Sequence, residues 1–464
     1  MTENRVQRPS NTLPYDDAQS LQNFANLLTG HMAYYGYELI EMPIIEDADL
    51  FLTKAGDNVA ERLFTFERNG HVLTLRPEFT AAAAHRYITG DQTGAARWQF
   101  KGAIFADYPD DKDRHSQRYS VGAELIGMAG AMAEAEIIAM AVRGIEQAGI
   151  TDWQLVIGHV GLTRQLLARY GLDPRTQRHI LSARNDLKRG DDDAKAALMA
   201  RLDQYLWQTP QQADDDAITQ TGTQSMLDVL LNTSRASATM GGRTRHDIAR
   251  RLLRKRQQAA QKHQIDDALH FLQRWMAINA PVDAGIATIK QEIGDDQHGS
   301  VIFAEWLTML DLLSAAGIDR QRIVIQPDLA RTWDYYTGVV FDLRGADGVT
   351  LAGGGRYDEL PRLIGAENDV PAVGFAYRME AIIAGAGNLA DDQPVHRLLY
   401  DDATGADAMR WAMALRGHGV HLILTPERDD SPFMRVDESG AIHHDGQTFT
   451  LTQIDTLAEI LDGS

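Results

Sequence analysis

Cysteine is absent from the 464-residue chain, so neither a disulfide nor a thiolate-bound metal contributes to its fold. That absence is consistent with a reducing cytosol, and a cytoplasmic location is the expectation. No apolar run approaches the roughly 20 residues that a membrane-crossing helix requires. The first residues, Met1 to Arg8, lack the apolar core of a secretory signal. Positive charge is in short supply: 45 Lys and Arg face 65 Asp and Glu, a net charge of -20. Such a balance opposes a broad nucleic-acid surface, because phosphate binding needs local positive potential. There is no long internal repeat, no low-complexity tract and no His-rich or Asp-rich spacing of the kind that holds a metal, so neither a metal nor a cofactor is expected. What remains is an ordinary globular composition, 44% hydrophobic and 24% charged, long enough for roughly three domains.

Periodicity divides the chain. Asn23 to Tyr35 reads as an amphipathic helix, and Tyr37 to Ile45 as a strand in which Pro43 argues for an edge or an interface. Val72 to Leu75 is a short strand leading into Arg76-Pro-Glu-Phe-Thr80. Ala81 to Ile88 then carries strong helix formers, with Thr80 as the expected N-cap. Ala96 to Ala106 and Arg118 to Ile126 read as two strands around a polar loop, Glu134 to Gln147 as an alanine-rich helix, and Gln154 to Ile157 as another strand. From about Pro174 to Asp296 the period is helical and broken by acidic runs, which predicts a helical insertion. Strands resume at Arg322 to Gln326 and Val339 to Asp342, and Pro371 to Tyr377 precedes a helix through Ile383. After the linker-like Ala390 to Pro394, Leu398 to Leu424 reads strand–helix–strand, followed by a hairpin and a helix from Gln453 to Leu461. The expectation is an α+β core over 1–390, carrying the insertion at 174–296, and a small α/β region over 395–464.

Two segments concentrate the chemistry: Arg331-Thr-Trp-Asp-Tyr-Tyr-Thr-Gly338 and Ala352-Gly-Gly-Gly-Arg-Tyr-Asp358. A free amino acid presents an ammonium, a carboxylate and a side chain, each needing a different partner. Glu78 and Thr80, at a strand end, suit the ammonium. Arg331 offers a bidentate fork for the carboxylate, and Tyr336 a phenol that donates or accepts. Ser120 and Glu124 share one face of a strand, which aims Glu124 at a ligand ring while Val121, Ala123 and Leu125 pack the other side. Gly353, Gly354 and Gly355 would let backbone approach a ligand closely. Blander readings stand beside these. Glu78 can be a surface acid, Glu124 a buried ion-pair partner, Tyr335 or Tyr336 plain core, and the triple glycine a tight turn. Arg331 and Tyr336 lie an odd number of residues apart, so they reach one side only if a turn or bulge separates them. The basic cluster Arg243 to Arg256 reads first as a solvated helix face, with RNA, a phosphate ligand or an acidic partner as alternatives. His443-His444 is expected on a hairpin surface.

In this order along the chain, these segments resemble class II histidyl-tRNA synthetases over most of residues 10–390. Glu41-Met-Pro-Ile-Ile-Glu46 resembles the first class motif, which implies a self-dimer through that region. Leu75 to Thr80 looks like the amino-group-binding segment, Phe105 to Gly127 lies where the second motif belongs, and Gly374 to Ile382 where the third does. The resemblance implies an antiparallel sheet core flanked by helices. It implies a histidine pocket of Glu78, Thr80, Ser120, Glu124, Arg331, Tyr335 and Tyr336, with Gly353, Gly354, Arg356 and Tyr357 as its ligand loop. The departures fall on nucleotide binding. Ala106 stands where the second motif has the arginine that grips the ATP α-phosphate, and Tyr108 where it has a glutamate. Ala381 stands where the third motif has its arginine, and Arg378 where it has a glycine. Loss of one such cation costs roughly 2.7–4 kcal/mol of transition-state stabilisation. Ser120 also replaces a histidine-contacting glutamine. This combination is similar to the synthetase-like regulatory subunits of ATP phosphoribosyltransferase, as are Gly158-His-Val-Gly161 and, more loosely, Gly241 to Arg245. That resemblance implies a non-catalytic subunit that binds free histidine, partners the short-form catalytic subunit at the first step of histidine biosynthesis, and engages neither tRNA nor a membrane. The alternatives are a divergent active synthetase, with Arg378 or Arg114 replacing the lost cations, and a paralogue that activates an amino acid for another acceptor.

Overall fold

The computed structural model describes residues 18–52, 60–90, 94–107, 115–182, 188, 198, 200, 262–329, 331, 333, 335–386, 396–401, 403–426 and 434–462. The chain divides into two compact units, Met1–Asn388 and Leu389–Ser464. Within the expected insertion, Pro174–Ser182, residues 262–276 and Val282–Ile293 are helical. The basic cluster Arg243 to Arg256, the segment Gly241 to Arg245, Tyr108 and Arg114 lie outside the described residues.

The larger sheet of the first unit runs, edge to edge, β1 (Glu38–Leu39), β5 (Ala96–Phe105), β6 (Gln117–Ile126), β12 (Ala372–Arg378), β11 (Thr350–Arg356), β10 (Val339–Gly345), β7 (Trp153–His159), β9 (Ile323–Ile325) and β8 (Ala280–Pro281). From β5 to β7 every pairing is antiparallel. Parallel pairs join β1 to β5 and β7 to β9 near the margins. Helix α1 (Ala18–Ala33) and the Ala/Gly-rich α3 (Ala131–Gln147) pack on one face of this sheet. Small residues let α3 come close: the Tyr377 hydroxyl donates to the Met140 and Ala141 carbonyls at 3.3 and 3.1 Å, and a Cβ on Gly144 would fall 2.0 Å from that hydroxyl.

The single strand expected over Tyr37 to Ile45 is two. Residues up to Leu39 join the large sheet, whereas β2 (Ile45–Asp47) joins a small one with β4 (His71–Leu75) and β3 (Thr65–Arg68). Pro43 lies between them and has no N–H for a ladder. The break is held by buried Arg76, whose Nη1 donates to the Met42 and Pro43 carbonyls at 2.7 and 3.3 Å and whose Nε donates to Ala103 at 2.9 Å.

The triple glycine is not a turn but the middle of central strand β11. A Cβ on Gly354 would fall 1.9 Å from the Gly374 carbonyl and 2.6 Å from Phe375 Cα, and one on Gly355 would fall 2.4 Å from the Val339 carbonyl. Backbone cannot swing aside as a flexible side chain can. Gly354→Ala is therefore expected to cost about 3 kcal/mol, the upper end of ordinary overpacking, read as a lower urea midpoint. A wild-type midpoint would show that the strands part freely.

The second unit has its own sheet, ordered β14 (Leu422–Pro426), β13 (His396–Tyr400), β15 (Met434–Val436), β16 (Ile442–His444) and β17 (Gln447–Phe449). Helices Gly405–Gly417 and Ile454–Asp462 close a core around Trp411, Leu415, Ile442 and Leu457. Among the described residues no helix is long and apolar enough to cross a membrane.

Candidate functional site

On the sheet face opposite α3, Ser120 lies across from Arg378, Glu124 across from Gly374, and Gly353 across from Ala376. Strand alternation puts Arg118, Ser120 and Glu124 on one face of β6, beside Gly374, Ala376 and Arg378 of β12. The small residues at 353, 374 and 376 leave a trough. It forms a cavity of about 180 Å3, walled by Glu78, Thr80, Ser120, Arg331, Tyr335, Tyr336 and Tyr357 among others.

One end is acidic. The hydroxyls of Thr80 and Tyr357 donate to the two Glu124 carboxylate oxygens at 2.7 and 2.6 Å. Glu124 is 1% exposed, and burial pushes its carboxyl up to about 8 despite both bonds, which act to lower it. Glu78 accepts the backbone N–H groups of Thr80 and, at 2.9 Å, Ala81; burial pushes its carboxyl up as well. That bonding corrects the expected cap of helix α2 (Thr80–Thr89). Phe79 occupies the N-cap, without a side-chain cap, and the Glu78 carboxylate takes the first N–H groups. The Thr80 hydroxyl is thereby left for Glu124.

The opposite end is basic. Arg331 forms an ion pair with Asp342 and donates to the Phe341 carbonyl at 3.3 Å. Gly353 makes room for this: a Cβ there would fall 1.7 Å from Arg331 Nη1. Arg62, Arg118 and Arg378 also border the cavity. Between the ends, the Tyr335 ring tilts against Tyr336 at 4.8 Å and meets Tyr357 edge-on at 5.8 Å. Arg331 and Tyr336 reach the same cavity because β9 ends at Ile325 and β10 begins at Val339, so no regular strand spans the interval.

Several sequence expectations need correction. Glu124 stands one layer behind Thr80 and Tyr357, whose hydroxyls separate its carboxyl from the cavity, so it is not itself a wall residue. The close approach at Gly354 and Gly355 is strand to strand, not strand to ligand. Arg356 turns away from the cavity: it is 7% exposed, with Nε 2.7 Å from Glu134, Nη1 3.1 Å from Asp358 and Nη2 3.3 Å from the Gly130 carbonyl. Ala106 borders the cavity, its N–H donating to Ser116 at 2.9 Å, whereas Ala381 is half-buried in helix Met379–Ala386 and off the wall. Arg118 was missed as a site residue, although it sits two before Ser120 and hence on the same strand face. Trp333, stacked on Tyr335 at 5.9 Å, was missed too.

In Gly158-His-Val-Gly161, the His159 Nδ1 accepts the Leu162 N–H at 3.1 Å and so caps a helix. Burial pushes that imidazole down to about 4, so it stays neutral at pH 7. His443 Nε2 lies 2.7 Å from Asp437 on an exposed hairpin. Among the described residues no group of His, Asp and Glu is arranged to hold a metal ion.

A family model described as histidyl-tRNA synthetase matches residues 11–289 and 220–382. ATP phosphoribosyltransferase regulatory subunits from Brucella canis and Brucella suis are 30% identical over 361 residues, covering 75% of this chain and 93% of each relative. The fold matches an ATP phosphoribosyltransferase regulatory subunit/histidyl-tRNA synthetase from Bacillus halodurans with a TM-score of 0.63, at 20% identity over 91% of this chain and 93% of that one. It also matches histidyl-tRNA synthetase from Nostoc with a TM-score of 0.63, at 15% identity over 98% of both chains. The architecture is that of a class II aminoacyl-tRNA synthetase core. With more than half its length in the synthetase family model and its curated relatives covered almost end to end, the chain belongs to the histidyl-tRNA synthetase-like family of ATP phosphoribosyltransferase regulatory subunits.

Proposed function

We propose that the chain is a non-catalytic regulatory subunit that binds free histidine in this cavity. Its partner is the short-form catalytic subunit of ATP phosphoribosyltransferase, in the cytoplasm, at the opening of histidine biosynthesis. The carrying observation is the cavity itself. Glu78, Thr80 and Tyr357 gather at one end and cations at the other, around a space of about 180 Å3 whose wall at position 106 is a methyl group. Pockets for drug-sized ligands run to about 300–1,000 Å3, so this one suits a single amino acid without a nucleotide. Histidine feeds back by distinguishing two assembly states, since a ligand shifts only an equilibrium whose states it binds unequally.

Self-association through the first-motif region is part of this reading. Ile44, Ile45, Phe66 and Val72 are between 40% and 52% exposed on or beside the small sheet, an apolar surface that a second copy would cover.

Calorimetry against the twenty amino acids is the test. Histidine is expected to bind, ATP to leave its affinity unchanged, and histidine-dependent pyrophosphate exchange to be undetectable. Exchange at a synthetase-like rate would establish the divergent-synthetase reading instead. Failure of the short-form catalytic subunit to co-purify would remove the regulatory role.

A further inference from the structure

We propose that Arg378, not Arg331, anchors the carboxylate of the ligand, with Arg118 beside it. The proposal deepens the histidine-pocket reading and rests on it. Arg331 is the residue that sequence marks for this task, but its guanidinium is committed to Asp342 and to the Phe341 carbonyl. A ligand carboxylate recruiting Arg331 would have to compete with a carboxylate already in place. Arg378 is different. It ends the β12 face that floors the cavity, is exposed at the mouth, and its guanidinium makes no direct hydrogen bond or ion pair with a described residue, although Glu380 and Asp342 attract it from a distance. Arg118, on the neighbouring strand, lies 3.9 Å from Glu380.

The local charge points the same way. Arg62, Arg118, Arg331 and Arg378 border the cavity with Glu78 and Glu380 as the acids among its wall residues. With Glu78 at the opposite end and Asp342 paired with Arg331, guanidinium groups outnumber carboxylates among the described residues that border the mouth. Desolvation of its inner part, followed by the like charges of Arg331 and Arg118, lowers the Arg378 guanidinium pKa although Glu380 and Asp342 act the other way, a net repulsion that a bound anion relieves. The cavity is thus polar along its length. A zwitterion enters with its cationic groups toward Glu78 and its carboxylate toward Arg378.

The test is calorimetry of the full chain with histidine, histamine (which lacks the carboxylate), inorganic phosphate and ATP. The wild type and Arg378→Met, Arg378→Lys and Arg331→Met are compared. Arg378→Met is expected to weaken histidine binding about 10- to 100-fold, the range for a charge-assisted hydrogen bond. It should leave histamine binding at the wild-type level, and Arg378→Lys should recover part of the histidine loss. Equal weakening of histidine and histamine would make Arg378 merely structural and overturn the proposal. So would histidine binding unaffected by Arg378→Met, in which case the histidine reading survives alone. Binding of phosphate or ATP that disappears in Arg378→Met would assign the arginine to a nucleotide instead. If the wild type binds no amino acid, the histidine reading fails and the anchor with it.

Discussion

Arg356→Met is expected to destabilise the protein by about 3–5 kcal/mol, the cost of removing one partner from a buried ion pair. The guanidinium lies 2.7 Å from Glu134 of α3 and 3.1 Å from Asp358. Those two carboxylates hold it in the charged form although burial works the other way. Without it, Glu134 is left as an acid that is 7% exposed, with no compensating cation. The loss comes from the stranded charge rather than from the intrinsic worth of the pair. The double variant Glu134→Leu, Arg356→Met is therefore expected to recover at least half of it, since apolar replacement of both partners is often near neutral. Urea unfolding of both variants decides the matter. A single variant within about 1 kcal/mol of wild type would show that water reaches Glu134 and that the strand-to-helix tie is weak.

The second large effect is a pH dependence belonging to Glu124. Its folded carboxyl is pushed up to about 8 from an ordinary 4.5, chiefly by burial. The folded state therefore holds a proton that the unfolded chain has released, so stability falls as pH rises. The contribution is complete below about 4.5, declines from there, and is lost once pH passes about 8. At about 1.4 kcal/mol per pH unit, the difference across that window is a few kcal/mol. Glu124→Gln keeps the shape and an acceptor but has no proton to lose. Its stability is expected to fall less steeply than wild type between pH 5 and 8, measured as the difference between the two urea series. Parallel curves would mean that Glu124 is ionised in the folded protein. In a pocket that takes a cationic ligand, the same carboxyl would give up its proton on binding, since a nearby positive charge favours the anion.

Strand β6 was legible because period-two alternation survives in Ser120 to Ile126, whereas Ala372 to Arg378 was read only as the segment before a helix and is strand β12. The odd spacing of Arg331 and Tyr336 already demanded an irregular segment, and none of the described residues between Ile325 and Val339 belongs to a strand. Other features depend on neighbours remote in sequence. Thr80 has the side chain of a cap, yet Glu78, two residues earlier, takes the first N–H groups of the helix, those of Thr80 and Ala81, with a carboxylate. Glycine is depleted in strands, so β11 did not declare itself; only Arg331, Phe375 and Val339 explain why side chains are missing there. Nothing local separates Arg331 from Arg356. Which one faces the cavity is decided by Glu134, more than two hundred residues away in the chain.

The glycine run of β11 also works as a ratchet for sheet assembly. Its three vacancies are filled from different sides, by Arg331 at 353, by the Gly374 carbonyl at 354 and by the Val339 carbonyl at 355. Sliding the strand by one residue would drive Ala352 into the first vacancy or Arg356 into the last. Most strands are held in alignment by which side chains prefer the interior; this one is also held by three places where no side chain fits.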